Sequence, residues 1–147
     1  MKYVHTNLVA RDWKRLADFY IKVFGCKPQP PERDLRGPWL DKAVNLEDAH
    51  ITGVHLLLPG YTEGPTLEVF QYDKETQQNM SQPNTPGFGH LAFSVSDVEE
   101  IADTVIGLGG DWVGDITKVD IGGVGTLVFA YMRDPEGNIL EIQRHED

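Results

Sequence analysis

The sequence lacks the features of a disulfide-stapled, membrane-spanning or nucleic-acid-binding protein. It has 147 residues and a single cysteine, so no internal disulfide can form. The chain has 13 Lys and Arg residues and 23 Asp and Glu residues, so it is acidic. Nucleic-acid binding requires a basic face, which this composition does not favour. No apolar run is long enough to span a membrane, and the N-terminus lacks a signal-peptide pattern. We therefore expect a cytoplasmic protein with no nucleic-acid or membrane partner.

The rest of the composition is that of an ordinary globular domain. Apolar residues make up 40% of the chain and charged residues 24%. A chain of this length can bury a sizeable core within one domain. We therefore expect a single domain over residues 1–147.

The chain repeats itself with an offset of 85 residues. In this register His5 aligns with His90 and Asp12 aligns with Asp97, and the apolar positions that follow each aspartate also align. Each copy contains an apolar strand with one histidine, then an aspartate suited to cap a helix, then an amphipathic helix. Such self-similarity predicts two copies of one module.

Each copy continues with three further strands. In the first copy the proline-rich segment 27–38 predicts a loop or a weak edge strand, and His50 is assigned to a loop. In the second copy a Pro-Gly turn at residues 134–137 joins the last two strands. The predicted strands cover residues 2–10, 49–58 and 66–72 in the first copy, and 88–95, 111–119, 125–133 and 138–144 in the second. Module 1 thus covers about residues 1–73, the linker about 74–86, and module 2 about 87–147.

The last predicted strand of each copy carries a glutamate among apolar residues, Glu68 and Glu141. A carboxylate is costly to bury without compensation, so the alternative is that both lie on a solvated face. However, one histidine and one glutamate recur at matching positions in both copies. We therefore predict that His5, Glu68, His90 and Glu141 bind one divalent metal ion, for which Ni, Co, Zn, Mn and Fe are all suitable.

Side chains alternate along a strand, so residues near these ligands share their face. This pattern predicts a substrate pocket that includes Asn7, Phe70, Tyr72 and Gln143. Three other histidines have no partner in the repeat and receive no role in the site: His50, His55 and His145. Of these, His50 and His145 are predicted to be surface residues.

Several motifs resemble those of the vicinal oxygen chelate superfamily, and glyoxalase-like proteins most closely. They are His5-Thr6, residues 18–20 and 23–25, Gly89-His90, and Asp-Pro-Glu-Gly-Asn at 134–138 before Leu140-Glu141. This superfamily includes glyoxalase, methylmalonyl-CoA epimerase, extradiol dioxygenases and bleomycin- or fosfomycin-resistance proteins. The resemblance implies an α+β fold of two tandem βαβββ modules, forming a cupped, half-open mixed sheet around a metal site with helices outside. It also implies the same four metal ligands and a homodimer.

Two positions depart from bacterial glyoxalase. That enzyme has an arginine four residues after its first histidine and an asparagine four residues after its first glutamate, both serving glutathione. Here these positions hold Val9 and Tyr72, which argues against a glutathione hemithioacetal as substrate. Methylmalonyl-CoA epimerase, in turn, usually has glutamine at the position of Glu68.

The ligand set and the resemblance together favour a metal-dependent isomerase or lyase. The reaction would move a proton through a metal-stabilised enediolate of a small α-hydroxy carbonyl or thioester substrate. Glu141 is the predicted base, with Glu68 as its partner. Two alternatives stay open: an Fe(II)-dependent extradiol-type dioxygenase, and a metal-free binding or sequestering protein of the bleomycin-resistance type.

Overall fold

The computed structural model describes residues 1–146, which form a mixed α+β fold of three helices and nine strands in two sheets. The chain divides into two compact units, unit 1 from Met1 to Gln78 and unit 2 from Asn79 onward. This boundary falls within residues 74–86, the predicted linker. The end of the predicted second module, residue 147, lies outside the described residues.

Unit 1 contains one sheet in the strand order β1-β4-β3-β2. Strands β1 and β4 are parallel, and the other pairs are antiparallel. The elements are β1 (His5–Val9), α1 (Trp13–Phe24), β2 (Lys27–Arg36), α2 (Pro38–Val44), β3 (His50–Leu57) and β4 (Thr66–Tyr72). His50 therefore begins a strand, as the predicted strand over 49–58 implies, and its separate assignment to a loop was wrong.

Helix α1 begins directly after Asp12, the residue predicted to cap it. The side chain of Asp12 accepts a hydrogen bond from the backbone N–H of Arg15, and Gly25 ends the helix in the left-handed conformation. Its apolar face packs on the β3 and β4 strands, with five buried residues: Leu16, Ala17, Phe19, Tyr20 and Val23. This helix thus covers one face of the sheet and leaves the other face for α2 and the site.

The proline-rich segment forms β2, a ten-residue strand at the sheet edge, which is the edge-strand alternative of the prediction and not the loop. Its pairing with β3 shifts register between Gln29 and Arg33, so Pro30 and Pro31 lie in the irregular stretch. Proline cannot donate a ladder hydrogen bond, and an irregular edge strand does not require one there.

Unit 2 repeats the order of unit 1, with two strands in place of β2 and α2. The elements are β5 (Leu91–Ser94), α3 (Val98–Gly107), β6 (Asp111–Trp112), β7 (Thr117–Ile121), β8 (Gly125–Arg133) and β9 (Ile139–Glu146). The sheet order is β5-β9-β8-β6, and β7 also pairs with β8. The single strand predicted over 111–119 is thus two strands, because Val113 and Gly114 both donate to the carbonyl of Tyr131 and interrupt the ladder.

The cap of α3 matches that of α1. The side chain of Asp97 accepts a hydrogen bond from the N–H of Glu100, and the buried face of the helix consists of Val98, Ala102 and Val105. This face packs on β8 and β9. Both sheets are open, and the α+β class and the repeated module are confirmed. Within residues 1–146 no helix is long and apolar enough to cross a membrane.

Candidate metal centre

In unit 1 the pairing of strands brings four polar side chains together. Glu68 on β4 is in register with Asn7 on β1 and with His55 on β3. The Nε2 atom of His55 lies 2.7 Å from Oε2 of Glu68, and Nε2 of His5 lies 3.6 Å from Oε1. The side-chain amide of Asn7 donates to the same Oε1 at 2.8 Å. We call His5, His55 and Glu68 the unit-1 triad.

The ring of His55 is held from both sides. Its Nδ1 atom lies 3.0 Å from the hydroxyl oxygen of Thr66, and its ring packs edge-on against those of His5 and Phe70. Burial lowers the pKa of His55 below its usual range. The carboxylate of Glu68 opposes this shift, while Arg33 and His5 add to it. The imidazole is therefore kept neutral near neutral pH, the form that binds metal ions.

Unit 2 contains the matching arrangement. The Nε2 atom of His90 lies 3.1 Å from Oε2 of Glu141, and the hydroxyl of Tyr131 also hydrogen-bonds to Glu141. The pKa of Tyr131 is raised by burial first and then by the Glu141 carboxylate, so this hydroxyl stays protonated and donates. His90 immediately precedes β5 instead of lying inside the predicted strand. We call His90, Tyr131 and Glu141 the unit-2 triad.

The histidine–glutamate pair has nearly the same environment in both units. The exposed fraction of the side chain is 38% for His5 and 37% for His90, against 12% for Glu68 and 10% for Glu141. Both carboxylates are thus nearly buried, and the alternative that they lie on a solvated face was wrong. The prediction that all four residues bind one ion stays a prediction.

Sequence reasoning missed His55, which does have a counterpart in the repeat. His55 pairs with Glu68, and Tyr131 pairs with Glu141, at the same place in the two sheets. The spacing conceals this match, since His55 is 13 residues before its glutamate and Tyr131 only 10. The difference arises in the loops before the last strands, residues 58–65 and 134–138. Counting back from each loop would have found the pair.

The two units differ at one neighbouring position. Asn7 is in register with Glu68, and the residue in register with Glu141 is Ala92. Alanine has no hydrogen-bond donor, so Glu141 lacks the amide contact that Glu68 has. The Glu68 carboxylate is held at both oxygens by Asn7 and His55, whereas Glu141 contacts His90 and Tyr131 and has no amide donor in register.

Two of the predicted pocket residues take part in a hydrophobic cluster under α2. Phe70 is buried with Leu40, Ala49 and Ile51, and Tyr72 packs against this cluster. Gly53 permits this close packing, because a Cβ there would clash with the backbone oxygen of Val69 and lie 2.7 Å from the Phe70 ring. Phe70 therefore forms an apolar boundary next to the unit-1 triad.

The other predicted residues are more peripheral. Gln143 lies on β9 two residues beyond Glu141, paired with Phe129 of β8. His50 is partly buried and contacts Asp34, and His145 is exposed near the end of β9. Of the predicted pocket residues, Asn7 and Phe70 contact the unit-1 triad directly.

The donor atoms fit a divalent cation. The ligating atoms of the unit-1 triad all lie within 4.8 Å of one another. Imidazole and carboxylate groups suit first-row divalent metals. Both glutamate carboxylates are nearly buried, and their close partners include histidines. A desolvated negative charge is costly without compensation, so a bound cation would stabilise both carboxylates.

Comparison with known proteins identifies the family. Residues 2–142 match the family described as the Glyoxalase/Bleomycin resistance protein/Dioxygenase superfamily. A lactoylglutathione lyase of Escherichia coli O157:H7 is 28% identical over 151 aligned positions, which cover 100% of this chain and 95% of the relative. A lactoylglutathione lyase of Shigella flexneri shows the same identity and coverage.

Solved structures share the fold. A glyoxalase family protein from Bacillus cereus superposes with a TM-score of 0.87 at 13% identity, covering 100% of this chain and 95% of the other. A glyoxalase family protein from Enterococcus faecalis gives a TM-score of 0.62 at 22% identity, covering 97% and 96%. At these identities the likeness is one of fold.

Proposed function

This chain belongs to the glyoxalase/bleomycin resistance protein/dioxygenase superfamily, and we propose that it is a divalent-metal-dependent isomerase or lyase of glyoxalase or epimerase type. Its substrate would be a small α-hydroxy carbonyl compound or thioester. The observation that carries this proposal is the histidine–glutamate pair, which recurs in both units with matching burial and contact.

The proposed metal ligands are His5, Glu68, His90 and Glu141. A bound divalent ion would act as a Lewis acid and stabilise the negative charge that develops on a carbonyl oxygen when the adjacent carbon loses its proton. The protein must supply the group that takes this proton and the group that returns it.

The contacts of the two glutamates support different roles for them. Glu68 is fixed at both oxygens by Asn7 and His55, as suits a group whose main task is to hold the ion. Glu141 has the small Ala92 in register and no amide donor there, and we propose that its carboxylate reaches the substrate carbon on that side. We assign Glu141 as the base and Glu68 as its partner. The protonated hydroxyl of Tyr131 would orient Glu141.

Proton exchange tests this proposal across several classes of substrate at once. The protein, loaded with Ni²⁺ or Co²⁺, is incubated in D₂O with a panel of α-hydroxy ketones, α-hydroxy thioesters and the hemithioacetal of methylglyoxal and glutathione. Deuterium incorporation next to the carbonyl is followed by NMR. We expect exchange with at least one member, and weak activity on the hemithioacetal because Val9 and Tyr72 replace the glutathione-binding residues that the resemblance implies.

The variant Glu141→Gln should lower this exchange about 100-fold or more, since a positioned general base contributes about that factor. The control is Glu146→Gln on the same strand, which contacts Lys118 and Arg144 and should leave exchange unchanged. Absence of exchange over the whole panel, or equal rates in the two variants, would contradict the proposed reaction class.

One observation favours a second candidate, an Fe(II)-dependent dioxygenase. The unit-1 triad has two histidines and one carboxylate, the set that many non-haem iron oxygenases use with open coordination positions. Oxygen consumption by the Fe(II)-loaded protein with a panel of catechols tests it directly. Ring cleavage in the absence of any α-proton exchange would favour this candidate over the isomerase or lyase.

A further inference from the structure

His55 lies outside the four predicted ligands, although it is the closest partner of Glu68. Its Nε2 atom is 2.7 Å from Oε2 of Glu68, and its ring lies edge-on to His5 with centroids 5.5 Å apart. Its side chain is 18% exposed and that of Glu68 12%, while His5 is 38% exposed. The three side chains therefore converge on a point that is buried on two sides and open beside His5.

The second nitrogen of His55 also fits a role as ligand. Histidines that bind metals usually use their other ring nitrogen in a hydrogen bond, which fixes the tautomer and the ring orientation. Here Nδ1 lies 3.0 Å from the hydroxyl of Thr66, two residues before Glu68 on the same strand. With Nδ1–H donating to that hydroxyl, a bound cation would replace the proton between Nε2 and the Glu68 carboxylate and be held by both.

We propose that unit 1 binds a divalent first-row metal ion by itself, through His5, His55 and Glu68. This inference rests on the proposed function, because His5 and Glu68 are metal ligands in both. It differs in adding His55 as a ligand and in needing no residue of unit 2. Three nitrogen and oxygen donors leave open positions for water, substrate or further ligands.

The equivalent set in unit 2 is weaker. Tyr131 occupies the position of His55, and a neutral phenol is a much poorer ligand than an imidazole nitrogen. Unit 2 therefore has one good nitrogen donor and one carboxylate. We expect the two units to differ in metal affinity although their histidine–glutamate pairs look alike.

The test uses the full-length chain with the ligands of one unit removed. His90→Ala/Glu141→Gln removes the unit-2 ligands, and His5→Ala/Glu68→Gln removes those of unit 1. Each protein is titrated with Co²⁺, whose visible absorption reports its coordination, and metal content after gel filtration is measured by elemental analysis. The first double variant should retain about one Co²⁺ per chain, and the second should retain none.

His55→Gln added to the first double variant should weaken Co²⁺ binding at least about tenfold and change the absorption spectrum. The matched control is His50→Gln, five residues earlier on β3 and in contact with Asp34, which should leave both unchanged. Circular dichroism verifies that each variant is folded.

A variant that gains metal binding complements these variants that lose it, because unfolding of a variant could explain a loss of binding but not a gain. Tyr131→His, added to His5→Ala/Glu68→Gln, gives unit 2 two histidines and a carboxylate, and it should confer Co²⁺ binding there. The proposal is overturned if His90→Ala/Glu141→Gln binds no metal, or if His55→Gln binds as tightly as His50→Gln. Proton exchange by the wild-type protein would still support the proposed function in either case, so the two failures are distinguishable.

Discussion

At the scale of single residues, the environment of each carboxylate decides what it can do. Glu68 and Glu141 occupy equivalent positions, yet the Glu68 carboxylate accepts from Asn7 and the residue in register with Glu141 is Ala92. Hydrogen bonds to a metal-ligating carboxylate orient it and raise its affinity for the metal. One amide thus distinguishes the surroundings of the two carboxylates.

The first prediction concerns this amide. Asn7→Ala should weaken metal binding about tenfold, because outer-shell partners contribute roughly that much to affinity. The measurement is a Co²⁺ titration in competition with a chelator of known affinity. An unchanged dissociation constant would contradict the role assigned to Asn7.

The second prediction concerns the one cysteine. Cys26 is buried after α1, and burial raises the pKa of its thiol to about 11, although its backbone hydrogen bond opposes the shift. The thiolate is the reactive form, so the native protein should react with iodoacetamide far more slowly than the unfolded chain at pH 8. Equal labelling rates in the two states would contradict the burial of Cys26.

The same shift predicts a pH dependence of stability. The folded state holds its thiol proton to higher pH than the unfolded chain, whose thiol ionises near pH 9. The protonated Cys26 thiol therefore adds its full stabilisation to the folded state below about pH 9, and this stabilisation is lost as the pH rises toward 11. Urea unfolding of the wild type and of Cys26→Ala from pH 8 to 11 should show this loss in the wild type alone. Parallel pH profiles would contradict it.

At the scale of elements, the two long helices depend on matching caps. Asp12 and Asp97 each accept a backbone hydrogen bond from the residue three positions later. We predict that Asp12→Ala and Asp97→Ala each lower the free energy of unfolding by about 1 kcal/mol. The control, Asp18→Ala, removes an exposed ion pair with Lys22 and should cost less than about 0.5 kcal/mol. Urea denaturation measures the free energy of unfolding of all three variants. A cap variant that loses no more stability than Asp18→Ala would contradict the role of that cap.

Some helices and strands could be predicted from the sequence and others could not. Helices α1 and α3 and strand β4 were predicted closely, since apolar spacing and a capping aspartate mark a helix and alternation marks a strand. The β2 strand was obscured by its prolines, which disfavour strand in a single sequence although an irregular sheet edge accepts them. The break between β6 and β7 depends on a single carbonyl that accepts two N–H groups, and no local pattern reveals that.

At the scale of the whole molecule, metal binding should be linked to stability. A ligand that binds only the folded state raises the free energy of unfolding by about 2.7 kcal/mol at one hundred times its dissociation constant. We predict that saturating Co²⁺ raises the melting temperature of the wild type and of His145→Gln, and that the rise is lost in His5→Ala/Glu68→Gln. Scanning calorimetry measures it. An equal rise in all three proteins would indicate binding elsewhere on this acidic chain.

The homodimer and the cytoplasmic location remain predictions. The first follows from the resemblance alone, and light scattering coupled to gel filtration tests it by the ratio of the particle mass to the mass of one chain. Substrate identity depends on the pocket around the ion, which exchange measurements on the substrate panel address.

The sequence by itself determined the repeat, the capped helices, the α+β class and the family. The repeat and the helices depend on periodicity and on residues close together in the chain, whereas the class and the family follow from the resemblance of the motifs. It also supplied the two histidine–glutamate pairs, because both members recur at corresponding positions. Only the tertiary structure decided that His55 joins Glu68 and that Tyr131 takes its place in unit 2. That pairing depends on the register between neighbouring strands, which hairpin length and packing fix, so the spacing to the glutamate differs between the copies and conceals the match until the loop bounds are known.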